Sequence, residues 1–230
     1  MLSGSHGTSV PFPTFLGTTM TSIDDVGPDR VVISGGPFDS AMSSGRFGPR
    51  TGPYGIRKGS RALGELLLYS GSRGLIDIDT GERYESVLKD KLVDIGDFVV
   101  YPTDIMKTTQ NLASGIYDIV KRGAFSIFMG GDHYVSYPSV LGFAKAMDYL
   151  NPGIRIGYIH IDGHLDFAND DPVMGRFFYG SQARRISELP QIVNSSMVWI
   201  GATGTASREQ VDAIIRNGGM IYFAKDVHQL

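Results

Sequence analysis

Ile159-His160-Ile161-Asp162-Gly163-His164-Leu165-Asp166 sets three metal-ligating residues at two-residue spacing, at the point where an apolar strand runs out. Side chains at i, i+2 and i+4 of an extended chain share one face, so Asp162, His164 and Asp166 are expected to converge on one point. Two carboxylates and an imidazole suit manganese, zinc, iron or nickel. Upstream, Phe125-Ser126-Ile127-Phe128-Met129-Gly130-Gly131-Asp132-His133 has the same plan of apolar strand, glycine turn and Asp-His pair. Short polar residues after a strand also serve simply to turn the chain and cap the next helix, so the second strand end strengthens an otherwise weak pattern. Together the segments predict neighbouring strand ends that supply His133, Asp162, His164 and Asp166 to one crevice. In an open α/β sheet, ligands bind outside the carboxyl ends of the strands, where both clusters fall.

The flanking sequence alternates strand and helix. Strands are expected at residues 31–34, 98–101, 125–129, 154–161, 197–200 and 220–224, and helices at 49–69, 108–122, 136–150 and 181–189. Ser207 caps a further helix with Gln210 at the capping-box position, and Gly218-Gly219 ends it. Continuous apolar strands alternating with amphipathic helices indicate an α/β fold, with a parallel sheet covered by helices on both faces. Residues 1–30, rich in Gly, Ser, Thr and Pro and without periodicity, read as an N-terminal arm or loop, leaving 31–230 as one α/β domain. The chain stops just after the strand at 220–224, where a loop and another strand are expected, so the domain reads as incomplete at its C-terminus.

Composition narrows the function classes. A chain of 230 residues with 42% hydrophobic and 20% charged residues is large enough for a substantial core, most simply as one domain. A net charge of -3 argues against a nucleic-acid partner, which would meet a basic face. Cysteine is absent, which excludes disulfides and thiolate metal sites. No apolar run approaches a membrane span and the N-terminus lacks the pattern of a signal peptide, so a cytoplasmic protein without a membrane partner is expected. Gly35-Gly36-Pro37-Phe38-Asp39 lacks the glycine order of a dinucleotide fingerprint and reads as a tight turn.

Several blocks then line up in order. Gly36-Pro37-Phe38-Asp39-Ser40, Gly48-Pro49-Arg50-Thr51-Gly52-Pro53 and Ile56-Arg57 are followed by Asp94-Ile95-Gly96-Asp97, Gly130-Gly131-Asp132-His133, Asp162-Gly163-His164-Leu165-Asp166 and Trp199-Ile200-Gly201. This succession resembles the ureohydrolases, the arginase and agmatinase family. The resemblance implies a three-layer arginase-like fold and hydrolysis of a guanidino group to urea and an amine. It further implies two divalent metal ions, manganese foremost with nickel as the alternative. Carried over to this sequence, it assigns His133 and Asp166 to one metal and His164 to the other, with Asp162 bridging both. The chemistry is consistent with that division, because a resonance-shielded guanidinium carbon needs hydroxide made by lowering the pKa of a metal-bound water. Asp132 then reads as a capping residue beside a ligand.

Two departures from the family pattern shape the expectation. The third metal motif, a Ser-x-Asp-x-Asp strand end, is absent from these 230 residues, so the site is expected to be incomplete and the chain by itself inactive. Tyr179-Gly180-Ser181 stands where the family usually has His-Gly, a histidine commonly assigned to proton transfer. Tyrosine, with an ordinary pKa of about 10, is a poorer shuttle, so Tyr179 reads either as a residue that meets substrate or as a surface-loop side chain. Ala168 occupies the position where arginases place an asparagine for the amino-acid head group. The implied substrate is therefore agmatine, a guanidino acid or guanidine, met at Ala168 and Tyr179 with Asp162 and Tyr179 in the catalytic roles. The family also implies a homo-oligomer, trimer or hexamer. The alternative from another class is a non-catalytic binding or regulatory protein on the same scaffold.

Overall fold

A computed structural model of the chain describes residues 13–40, 48–70, 75–84 and 91–227. Residues 1–12 of the expected arm and residues 41–47, between two of the signature blocks, lie outside the described residues.

The first half is organised around β1 (Val31–Gly36), which pairs in parallel with β4 (Leu92–Asp97) on one side and β5 (Phe125–Gly130) on the other. Between β1 and β4 lies a two-stranded antiparallel pair, β2 (Leu75–Ile76) and β3 (Arg83–Tyr84). The second half forms another parallel sheet in the order β6 (Ile156–Ile161), β7 (Ile192–Ala202), β8 (Met220–Phe223). The expected parallel sheet is thus present as two three-stranded sheets, and among the described residues β5 and β6 each pair along one edge only.

Alternation along β1 explains how both faces are covered. Val32 points into a cluster with Ile116, Ile119 and Val120 of α2 (Ile105–Lys121) and Ala146 of α3 (Ser136–Leu150). Its neighbour Ile33 points the other way, into a cluster with Leu92 and Met129 against which Phe15 and Leu16 pack. Leu16 is in turn held to α1 (Gly52–Ser70), its amide donating to Ser60 Oγ at 2.8 Å. α2 and α3 approach closely at Gly142, where any Cβ would run into the carbonyl of Ala113. A second core lies around Trp199 and Met197 of β7, packed with Ile186 of α4 (Gln182–Ser187) and Ile214 of α5 (Arg208–Arg216). Ser207 caps α5 through the Gln210 amide, as the sequence predicts. A final turn of helix, α6 (Ala224–Val227), follows β8. No helix among the described residues is long and apolar enough to cross a membrane.

One strand differs from the expectation. Residues 98–101 are not a strand; the strand is Leu92–Asp97, and the chain leaves the sheet through Gly96, whose φ of 78° is left-handed. The acidic residues Asp94 and Asp97 disguised it. Asp94 is fully buried because the equally buried Arg57 reaches it from α1 through Nε at 2.8 Å and Nη2 at 2.9 Å, while Nη1 meets Asp97 and Nη2 also donates to the carbonyl of Gly96. Phe98 instead stacks on Phe128 with ring centroids 6.3 Å apart. The second helix also starts earlier than residue 108, because Asp104 caps it by accepting from the Lys107 amide, while Thr108 Oγ1 bonds the backbone of Tyr101.

Candidate metal centre

The site forms where β5 and β6 end. After β5 the chain must turn sharply under Phe38, and residue 131 has no room for a side chain because a Cβ there would meet the Phe38 carbonyl. The Gly131 and Asp132 amides donate to the carbonyls of Gly36 and Phe38. Asp132 is buried and faces away from the cleft, accepting from the amide and hydroxyl of Ser40 through Oδ2 and from the Tyr134 amide through Oδ1. It therefore caps the short turn His133–Val135, as expected, and ties the loop after β1 to it.

His133 opens that turn and points its Nδ1 between two carboxylates, 2.8 Å from Asp166 Oδ2 and 3.0 Å from Asp162 Oδ2. Asp162 follows β6 directly, and its Oδ1 accepts from the His164 amide at 2.8 Å. Asp166 adopts a left-handed backbone with φ of 47°, a conformation that costs a non-glycine residue of order 1 kcal/mol and persists only where surroundings impose it. Those surroundings are visible: Trp199 Nε1 donates to the carbonyl of Leu165, the Phe167 amide to Gln210 Oε1, and the Ala183 amide to the Asp166 carbonyl.

The cluster has a fourth member that the sequence reading passed over. His160, buried on β6, stacks on His133 with ring centroids 5.2 Å apart and planes inclined by 11°. Donor atoms of His133, His160, Asp162 and Asp166 all lie within 4.8 Å of one another. His164 stands outside this group at the rim, with its side chain 80% exposed and Nδ1 3.3 Å from Asp162 Oδ1. Three of the four expected ligands therefore come together, the fourth borders them, and His160 joins from within the strand. The signal was present, since His160 precedes Asp162 by the same two-residue step.

The electrostatics separate the two imidazoles. Burial works against charging His133, but Asp166 and Asp162 outweigh it and hold its pKa above the ordinary value. Burial, reinforced by the neighbouring His133, pushes His160 down. Burial also raises the Tyr158 hydroxyl, which stays protonated at neutral pH beside His160 Nδ1 at 3.2 Å. His160 Nε2 is buried and makes no hydrogen bond to any described residue. Two imidazoles and two carboxylates, one of them with such an orphaned nitrogen, form an N/O donor set that fits a divalent ion of the manganese-to-nickel series.

The cluster opens into a cleft of about 680 Å³, within the usual size of a small-molecule site. Ala168 and Tyr179 both line it, together with Asp171, Phe178, Thr203 and Gln210. Arg57 and the Asp94–Asp97 block lie elsewhere, clamping α1 to the end of β4.

Comparison with known proteins gives the family and the fold. A family model described as the arginase family matches residues 29–230. The agmatinase of Proteus mirabilis is 33% identical over 150 residues, covering 64% of this chain and 44% of its own. The proclavaminate amidino hydrolase from Streptomyces clavuligerus superposes with a TM-score of 0.75 at 24% identity, over 96% of this chain and 66% of that one. The formiminoglutamase of Trypanosoma cruzi with Mn2+ superposes with a TM-score of 0.72 at 23% identity, over 94% and 67%. The chain spans 39–59% of the length of curated relatives it matches.

Proposed function

The chain belongs to the arginase family, and on that premise we propose that it serves metal-dependent hydrolysis of a guanidino compound to urea and an amine. The observation that carries this reading is the convergence of His133 Nδ1 on the carboxylates of Asp162 and Asp166, with His160 stacked behind it, at the floor of a cleft that admits a small molecule.

His133, His160, Asp162 and Asp166 would hold one divalent ion, and Asp162 with His164 would serve a second. A bound ion supplies Lewis acidity and a water of lowered pKa, which a resonance-stabilised guanidinium requires. Manganese is the proposed metal, with nickel as the alternative. The chain's own residues shape the rest. Ala168 offers no side-chain amide to an amino-acid head group, which favours agmatine, a guanidino acid or guanidine over arginine. Phe178 and Tyr179, with rings 5.5 Å apart and nearly perpendicular, form an aromatic wall, and the Tyr179 hydroxyl is a donor and acceptor for substrate. Asp171, on the loop facing them, adds negative charge for a cationic tail. We also propose a cytoplasmic homo-oligomer, trimer or hexamer, and sedimentation as a stable monomer would count against it.

Two measurements test the centre and the reaction separately. Uptake of Mn2+ or Ni2+, followed by elemental analysis after gel filtration, is expected for the native sequence and lost in Asp166→Asn. Urea release from agmatine, 4-guanidinobutyrate or guanidine is expected where these residues are joined to the family's third metal motif, not from the 230 residues by themselves, and is expected to vanish there in Asp162→Asn. Metal uptake without urea from any of these or from arginine in that longer protein would favour a binding or regulatory protein on this scaffold.

A further inference from the structure

Gln182 meets three of the four cluster residues, His133, His160 and Asp166. It opens α4, is fully buried, and sends its side chain to the back of the two imidazoles. Its amide nitrogen lies 3.4 Å from His133 Nε2, 3.4 Å from His160 Nδ1 and 3.5 Å from Asp166 Oδ2. Its amide oxygen accepts from the Tyr158 hydroxyl at 3.4 Å. An amide carries two hydrogens, so it serves two of these three acceptors at once, while Tyr158 decides which end of the amide faces the histidines.

We propose that Gln182, oriented by Tyr158, is a positioning residue for the metal centre: its amide governs which nitrogen of His133 carries the proton and keeps Nδ1 facing Asp162 and Asp166. The inference rests on the metal reading above. With no ion bound, a neutral His133 that donates through Nδ1 to Asp166 leaves Nε2 to accept from the Gln182 amide nitrogen. To offer Nδ1 as a ligand, His133 must carry its proton on Nε2 instead, and that N–H then faces the buried Gln182 amide, where it needs an acceptor. Turning the Gln182 amide over presents Oε1 to Nε2–H and directs the amide nitrogen to the Tyr158 oxygen, which accepts as readily as it donates. Both states are then satisfied without moving any ring. Partners of this kind are worth about ten- to a hundred-fold in metal affinity.

The test uses Gln182→Met, which keeps length and removes both amide functions, with Tyr158→Phe and the double variant. Titration calorimetry with Mn2+ is expected to show about ten- to a hundred-fold weaker binding for Gln182→Met and a smaller loss for Tyr158→Phe, while at the His133 nitrogens the double variant should match Gln182→Met, because Tyr158 reaches that ring through the amide. In metal-free protein the His133 ring nitrogens, followed by long-range proton–nitrogen correlation NMR, are expected to shift in both single variants. Should Gln182→Met fail to fold, Tyr158→Phe, which removes one oxygen atom, gives the same readout. Unchanged His133 resonances, or His133 shifts that simply add in the double variant, overturn the positioning role, as does a lowered melting temperature with resonances and affinity unmoved. Shifted resonances in a protein that never takes up metal support the amide–histidine link and overturn only the metal reading beneath it.

Discussion

His133 and His160 stack 5.2 Å apart although one follows β5 and the other lies on β6, strands of two separate sheets. The cluster is therefore where the two halves of the chain meet, and its chemistry couples to the way the halves are held.

Removing a ligand should separate binding from folding. Asp166→Asn keeps the shape of a residue that tolerates a left-handed backbone but removes a full negative charge from the donor set. Metal affinity measured by calorimetry is expected to fall by at least about a hundred-fold, with the melting temperature of the metal-free protein shifted by only a few degrees. Unaltered affinity would remove Asp166 from the centre.

His160→Phe asks whether the buried histidine belongs to the donor set. The ring can still stack on His133, so packing survives while both nitrogens are lost. A fall in Mn2+ affinity larger than that caused by His164→Ala is expected for the first ion bound. The reverse order would return the role to His164.

The pH dependence has a definite sign. The pKa of His133 is raised in the folded protein, so in the metal-free state its stabilising contribution is full below the unfolded value of about 6.5 and disappears as pH rises through the folded value. His160 is lowered and acts in the opposite sense, its contribution present above about 6.5 and lost as pH falls through its folded value. Melting curves of His133→Phe and His160→Phe across pH 5 to 9 should accordingly change slope in opposite directions. Metal uptake, which requires His133 Nδ1 free of its proton, should release protons and strengthen as pH rises.

Arg57 tests the clamp between α1 and β4. Arg57→Met leaves the fully buried Asp94 without its two guanidinium bonds, and the expected loss is about 3–5 kcal/mol in denaturant unfolding. Arg57→Lys should recover only part of this, because a single ammonium does not replace a two-pronged contact that also reaches Asp97 and the Gly96 carbonyl. A loss below about 1 kcal/mol for Arg57→Met would mean that Asp94 finds another partner or a proton.

What was legible in the sequence was local. The apolar run 125–129 with its glycine turn, and the run into Ile161, mark strand ends because hydrophobic pattern and turn residues act over a few positions. Ser207 and Gln210 located a helix start for the same reason. Leu92–Asp97 was misread because its two aspartates look like loop chemistry until Arg57, 37 positions away from Asp94, is placed beside them.

By itself, then, the sequence determined the α/β alternation, the two strand ends and the types of donor atom they carry. Tertiary structure decided which donors converge. The two-residue rule holds only while the chain is extended, and β6 stops at Ile161. His160, still inside the strand, turns to the same side as Asp162, whereas the chain from Gly163 onward bends, leaves His164 at the rim and brings Asp166 back through a left-handed backbone. That bend is imposed by Trp199, Gln210 and Ala183, residues remote in sequence, whose hydrogen bonds to Leu165, Phe167 and Asp166 exist only once β7, α4 and α5 are packed.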